Sequence, residues 1–471
     1  MALRDPGAIQ VLSCYELGHQ PLAVASALGF LERAGFRPAA TDLAVDPLDR
    51  LLERTADAGV DLVLISVPMH TALHIGVRAA RRIRTVWPST HLCFFGLYAS
   101  LNAEHLLSSG GADSIVSGEV ESSLVELAQA LEHSRPLEEV GGLWLPGRPA
   151  RPHLARLDFP PPSRAGLPTL ERYARLVQDG AEHRAAAIET SRGCLHHCRH
   201  CPIPPIYRGR FFVVPQSVVL ADVRALVARG AQHLTFGDPD FLNGPRHALA
   251  VARAIHGEYP ELTFDVTTKI EHILRHRNAF PALAEHGCVF VVSAVESLSD
   301  EVLRHLDKRH TRQDVLEAER VLASAGIPLR PSLLPFTPWS TLDDYLELLD
   351  WIETHDLLSA VDPVQLSIRL LVPPGSLLAH YPPMRPHLGP LVPEAFSHTW
   401  VHPDPRMDAL QREVAEIAAA AARSGERTEV TFARVRDAAE RRAGRVRAVP
   451  PRSVAIPPRP IPPRLTEPWF C

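Results

Sequence analysis

The sequence predicts an α/β chain of two successive units: a flavodoxin-like doubly wound parallel sheet and then a partial (β/α)6 barrel, closed by a small helical C-terminal segment and a Pro-rich tail. Two series of short β-branched or apolar runs alternating with amphipathic stretches carry that reading, together with a proline-rich stretch between them. A length of 471 residues allows two or three domains with sizeable cores.

In the first series the strand candidates are Ile9–Ser13, Ala39–Leu43, Val60–Val67, His91–Phe95 and Asp113–Val116, with helical segments such as Pro21–Ala34 and Thr71–Val86 between them. Five βα units make a doubly wound sheet, whose ligands bind at the carboxyl ends of the strands. Residues 145–168, LPGRPARPHLARLDFPPPSRAGLP, read as an extended connector. The second series offers strands at Ala185–Thr190, His233–Gly237, Thr263–Thr268, Cys288–Ala294, Pro328–Leu334 and Val364–Leu371, with helical stretches such as Gln216–Arg229 and Ser299–Ala325. Six units suit an open barrel better than a closed eight-fold one, and place the chemistry at the carboxyl ends of the strands. The expected division is a flavodoxin-type domain at 1–140, a Pro-rich linker at 141–184, the partial barrel at 185–400, a helical segment at 401–447 and an extended tail at 448–471. That tail holds eight prolines in 24 residues.

Hydrophobic residues at 46% and charged residues at 22% exclude wholesale disorder. A formal charge of -5 gives no electrostatic footprint for nucleic acid or a membrane surface, so small-molecule or protein partners are expected. The N-terminal MALRDPGAIQ lacks the apolar core of a signal peptide, and no apolar run approaches 18 residues, which predicts a cytoplasmic protein.

Seven cysteines, at 14, 93, 194, 198, 201, 288 and 471, are too sparse for a disulfide framework, but three fall within eight residues. Cys194, Cys198 and Cys201 form C-x3-C-x2-C on a loop just after the first strand of the second unit. The spacing leaves two chemistries open. Structural zinc needs a fourth ligand, which His196, His197 or His200 would have to supply. An iron–sulfur cluster accepts three cysteines if a substrate or cofactor takes the remaining iron.

This motif in a six-fold βα series resembles the radical S-adenosylmethionine (SAM) superfamily. The resemblance implies a [4Fe-4S] cluster that binds SAM at its open iron and cleaves it to a 5′-deoxyadenosyl radical. It further implies cofactor contacts from Gly237 and Asp238 at the second strand tip, Lys269 at the third, Ser293 and Glu296 in the fourth (the "ES" motif), and Arg330 on the fifth. His200 stands where the superfamily usually has an aromatic residue against the adenine. A flavodoxin-like domain ahead of such a barrel resembles the cobalamin-dependent subclass, with Ser66, Thr71, Gly96, Asn102, Gly118 and Glu119 as cobalamin contacts. The D-x-H-x-x-G signature for a lower axial histidine is missing, and its nearest approach, Glu16-Leu-Gly-His19, has the wrong spacing. The activity implied is radical modification of an unactivated carbon in a small metabolite or peptide, with cobalamin-dependent methyl transfer as its leading form and an electron-donor protein as partner. Rearrangement, cyclisation or oxidation without cobalamin turnover is the enzymatic alternative. A non-catalytic corrinoid- or zinc-binding protein is the alternative of another class.

The ending Thr466-Glu467-Pro468-Trp469-Phe470-Cys471 resembles the branch of these proteins whose tail carries a Cys–Cys or Cys–selenocysteine pair before Ala-Glu-Pro. That resemblance implies a redox role for Cys471 and a selenocysteine codon read as a stop.

Overall fold

The computed structural model describes residues 2–55, 59–445 and 462–467. The first sheet holds β1 (Ile9–Ser13), β2 (Ala39–Asp42), β3 (Leu62–Ser66), β4 (His91–Phe95), β5 (Ser114–Val116) and β6 (Leu143–Trp144) in the order β2-β1-β3-β4-β5-β6. The first five strands are parallel, whereas β6, contributed by the connector, pairs antiparallel with β5. Alternation along the strands sorts the side chains onto two faces. Leu12, Val63, Ile65, Phe94 and Ile115 pack on one side, and Ile9, Val11, Leu62, Leu64, Phe95 and Val116 on the other. Both faces are covered by helices, as a parallel sheet requires.

The second sheet contains β7 (Arg175–Gln178), β8 (Ala181–Ile188), β11 (His233–Phe236), β12 (Thr263–Thr267), β13 (Cys288–Glu296), β14 (Leu329–Leu333) and β17 (Arg464–Leu465), after short antiparallel pairs β9 (Ser191–Gly193)–β10 (Phe211–Val213) and β15 (Leu388–Val392)–β16 (Ser397–Trp400) are set aside. β8, β11, β12, β13 and β14 are parallel neighbours in an open, curled half barrel. The expected sixth strand at 364–371 is a 3-10 turn, Pro363–Ser367, followed by a single bridge between Phe336 and Arg369. Proline at 363 and the Asp362 side chain, which caps that turn, favour a turn over a ladder at this edge. The other edge is closed by β7 and then β17, so tail residues 462–467 form an ordered strap. Cys471 lies outside the described residues.

The convex face of the half barrel carries the largest core, including Ala186, Ile188, Leu234, Phe236, Phe264 and Val266. Inward-facing positions alternate with these, and Leu176, Ala185, Phe290, Val292 and Leu465 form a smaller cluster on the concave side. The connector binds both units through Arg164. Its buried guanidinium clamps Asp222 at 2.7 and 2.8 Å and also reaches Gln20 and the Ala187 carbonyl. Among the described residues no helix is long and apolar enough to cross a membrane.

Candidate active site

The loop bearing the three cysteines is anchored at its root. Gly193 sits at φ +74°, and a Cβ there would lie 2.5 Å from the Arg210 carbonyl oxygen, so only glycine allows β9 to approach β10 this closely. The Cys194 amide then donates to that carbonyl at 3.0 Å. Farther on, the Arg199 amide donates to the Leu306 carbonyl, and its guanidinium reaches the Arg304 and His305 carbonyls while stacking over Tyr381. Cys194 and Cys198 are buried. Burial pushes the Cys201 thiol up to about 12, and charge on Cys198 and Cys194 pushes in the same direction, because the three sulfurs converge. A metal centre relieves that penalty by taking the thiols as thiolates.

The histidines between and beside the cysteines face elsewhere. His196 turns to Asp240 and His272, His197 packs on Gly209, and the His200 Nε2 lies 3.0 Å from Glu296 Oε1. Three thiols with no imidazole turned toward them fit a four-iron cluster with an open iron better than a four-ligand zinc site.

Glu296 ends β13 at φ +64° after a register shift against β14. It is 7% exposed and accepts from Lys308 Nζ at 3.1 Å. Burial alone would raise its carboxyl, but Lys308 and His200 hold it well below the usual carboxylate range. Lys308 is reached because the stretch 299–325, expected as one helix, breaks into Asp300–Leu306 and Arg312–Ser324. Asp307 and Arg309 take left-handed φ in the break, and Thr311 restarts the helix with a capping box. Against the opposing effect of burial, the Lys308 ammonium is raised by Glu296 first and then by Cys198 and Cys201, beside which it lies. Ser293, fully buried, leaves its hydroxyl without a hydrogen-bond partner, and buried Lys269 has its Nζ 3.8 Å from Glu271 without a hydrogen bond.

Two of the residues expected to contact the cofactor have partners within the chain. Asp238 is spent on the root of the cysteine loop, accepting from the Thr190 amide, the Thr190 hydroxyl and the Ser191 hydroxyl at 2.6–2.9 Å. Burial pushes its carboxyl up to about 6 against those hydrogen bonds. Gly237 beside it donates its amide to the Ile188 carbonyl. Arg330 lies inside the half barrel, over Phe290 and against the Pro463 carbonyl of the tail strap, where burial pushes its guanidinium down to about 10. Its place is the concave wall under the strap.

At the strand tips of the first domain, the Ser66 hydroxyl and Asn102 Oδ1 are buried without hydrogen-bond partners. These atoms can meet the amides around a corrin ring. Thr71 stands exposed on the helix His70–Val86. The small residues at 96 and 118 serve the chain itself. A Cβ on Gly96 would lie 2.9 Å from the Val67 carbonyl group, and one on Gly118 only 2.1 Å from the His153 carbonyl oxygen. Glu119 likewise faces the barrel: its Oε1 accepts from the Tyr207 hydroxyl at 2.7 Å and its Oε2 lies 3.7 Å from Arg192. Burial pushes its carboxyl up to about 7. Gly118 and Glu119 therefore form a domain contact. Arg192 completes it, pairing with Glu121 at 2.6 Å and Glu189 at 2.5 Å. Burial pushes the His19 imidazole down to about 4, with Asp265 of the half barrel acting in the opposite sense.

The sequence reading passed over Lys308 and Arg192; Asp240 and His272 stand on strand tips that it singled out, without a role of their own.

With this geometry in place, residues 188–352 match the Radical SAM superfamily and residues 10–128 match the B12 binding domain. The chain carries a B12 binding domain followed by a radical SAM domain, a pairing that implies a [4Fe-4S] cluster, SAM and cobalamin. It is 25% identical over 324 residues to the hopanoid C-3 methylase of Methylococcus capsulatus, a match covering 68% of this chain and 62% of that protein. It is 24% identical to an uncharacterized methyltransferase of Pyrococcus horikoshii over 57% of this chain and 58% of the other. The chain thus spans less than two thirds of either relative. Among solved structures, the radical SAM methyltransferase TsrM from Kitasatospora setae, with cobalamin and the [4Fe-4S] cluster bound, superposes with a TM-score of 0.60 at 20% identity, covering 74% of this chain and 73% of that one. The cobalamin-dependent radical enzyme OxsB with aqua-cobalamin superposes at 0.68 and 16% identity, covering 87% and 66%. At these identities the likeness is one of fold.

Proposed function

We propose that the protein is a cobalamin-dependent radical SAM methyltransferase that modifies an unactivated carbon of a small metabolite or peptide, with reducing equivalents from an electron-donor protein. The observation that carries this reading is a loop of three cysteines, two of them buried, whose neighbouring histidines turn to other partners among the described residues and which is joined through Arg192 to the strand tips of the B12 binding domain. Bound together, the three cofactors supply a carbon-centred radical and a methyl group.

Cys194, Cys198 and Cys201 would hold the cluster. Glu296, fixed as a carboxylate by Lys308 and His200, is an acceptor for ribose hydroxyls, and the unpartnered Ser293 hydroxyl is free to join it. Lys269 offers a buried ammonium to the cofactor's carboxylate. In the first domain the unpartnered Ser66 hydroxyl and Asn102 Oδ1 would meet the corrin amides. In this reading cobalamin belongs to the domain expected at 1–140 and the radical chemistry to the half barrel expected at 185–400.

A second reading, radical oxidation or rearrangement without cobalamin turnover, draws on the commitment of Gly118 and Glu119 to the domain contact. Incubating reconstituted protein with hydroxocobalamin, SAM carrying a deuterated methyl group, and dithionite separates the two. Retained cobalamin and S-adenosylhomocysteine formation accompany methyl transfer. Formation of 5′-deoxyadenosine without either one refutes it.

A further inference from the structure

Beside the cysteine loop, three buried side chains from three different segments meet at one point. His196 comes from the loop itself, Asp240 from the tip of β11, and His272 from the short helix Ile270–Arg275 after β12. Asp240 is fully buried, and His196 and His272 are 6% and 3% exposed. Asp240 Oδ2 lies 2.7 Å from His272 Nδ1 and 3.5 Å from His196 Nε2, and the two imidazole Nε2 atoms are 3.3 Å apart. The two close approaches to His272 run to different nitrogens of its ring, only one of which can serve a single ion, and one ligand atom from each of the three residues lies within 4.8 Å of the others. Oδ2 and Nδ1 approach without forming an aligned hydrogen bond, and Oδ2 has no hydrogen-bond partner. A buried carboxylate oxygen left in this state, facing two imidazole nitrogens, lacks a cation to satisfy it.

The groups around the trio are arranged as supports. The other oxygen of Asp240 accepts from the Thr268 hydroxyl at 2.8 Å and the Leu242 amide at 3.2 Å, which fixes the carboxylate plane. Glu271 Oε2 lies 3.6 Å from His196 Nδ1, on the ring edge away from Asp240, and also faces Lys269 Nζ. A carboxylate behind a ligating histidine orients the ring and raises its basicity.

We propose that His196, Asp240 and His272 form a second metal site, separate from the iron–sulfur cluster, that takes one divalent first-row transition ion such as Zn2+ or Fe2+ and leaves a coordination position open. Two histidines and one carboxylate are the donor set such ions take when a site is left open. The site belongs to this chain's own geometry and does not depend on methyl transfer.

The test uses full-length protein with its cluster assembled anaerobically, stripped of loose metal by a chelator and then given one equivalent of Zn2+. The expected result is one zinc per chain beside four irons, with only nitrogen and oxygen neighbours in the zinc X-ray absorption spectrum. Asp240→Asn and His272→Gln should each lower zinc affinity on the order of 10–100-fold, measured against a competing dye, with iron and sulfide unchanged. If Asp240→Asn does not fold, His272→Gln decides alone. Failure of wild-type protein to retain zinc, equal retention by the variants, or zinc–sulfur distances near 2.3 Å that place the ion on the cluster cysteines would each overturn the site. Protein that assembles no cluster but still binds zinc through nitrogen and oxygen would refute the radical reading and leave this site standing.

Discussion

Replacing Arg192 by leucine removes the cation that joins the two domains. In the structure this guanidinium is 12% exposed and neutralises Glu121, Glu189 and Glu119 at 2.6, 2.5 and 3.7 Å, with its face on Phe159 at 4.9 Å. Breaking a buried pair from one side leaves unpaired charge and costs about 3–5 kcal/mol. The cost depends on pH in a defined direction. Burial raises the Glu119 carboxyl from 4.5 to about 7 in the folded protein, a displacement worth about 3 kcal/mol. Because the folded value is the higher one, its stabilising contribution is complete below about pH 4.5 and is lost as pH rises through about 7. Arg192 lowers that folded value, so its removal raises it further and enlarges the loss at alkaline pH. Arg192→Leu should therefore lower the thermal midpoint by roughly 6–20 °C at pH 8, and by clearly less at pH 5.5, where Glu119 is protonated with or without the arginine. Differential scanning calorimetry at the two pH values measures this. An unchanged midpoint at pH 8, or an equal shift at both pH values, would refute the buried-charge reasoning.

Lys308→Met removes the ammonium beside Cys198 and Cys201; without that charge the reduced cluster is less favoured, and the midpoint potential should fall on the order of 50 mV, a shift that redox titration followed by electron paramagnetic resonance reads directly. Leu465→Ala strips the strap's contact with Leu176, Phe290 and Val292 and should cost about 2 kcal/mol or more, with faster hydrogen exchange along Leu176 and Val177, which pair with the strap; unchanged exchange there would show that the strap is held by something else.

Both sheets were legible in the sequence because their strands are buried on alternating faces and punctuated by turns. The five parallel strands of the first domain follow from the βα alternation, and the cysteine loop from its spacing. What the sequence concealed depended on which neighbour a side chain meets. Asp238 and Asp240 differ by two residues, yet one serves Thr190 and Ser191 while the other faces two imidazoles. Lys308 looked like one charge on a long helix, because the left-handed residues 307 and 309 that expose it are neither glycine nor asparagine. Gly118 and Glu119 sit at a strand tip where a ligand is expected, but the connector at His153 reaches them first. The short strap at 464–465 was hidden inside a proline-rich tail, since a two-residue strand has no periodicity to detect.

The most direct test of the central claim is the electron paramagnetic resonance spectrum of the dithionite-reduced, anaerobically reconstituted protein with and without SAM. Four irons per chain and a cluster signal whose g values move on adding SAM, both lost in Cys198→Ala, are predicted from three cysteine ligands and an open iron. A signal indifferent to SAM, or zinc held by the same three cysteines without acid-labile sulfide, would contradict it.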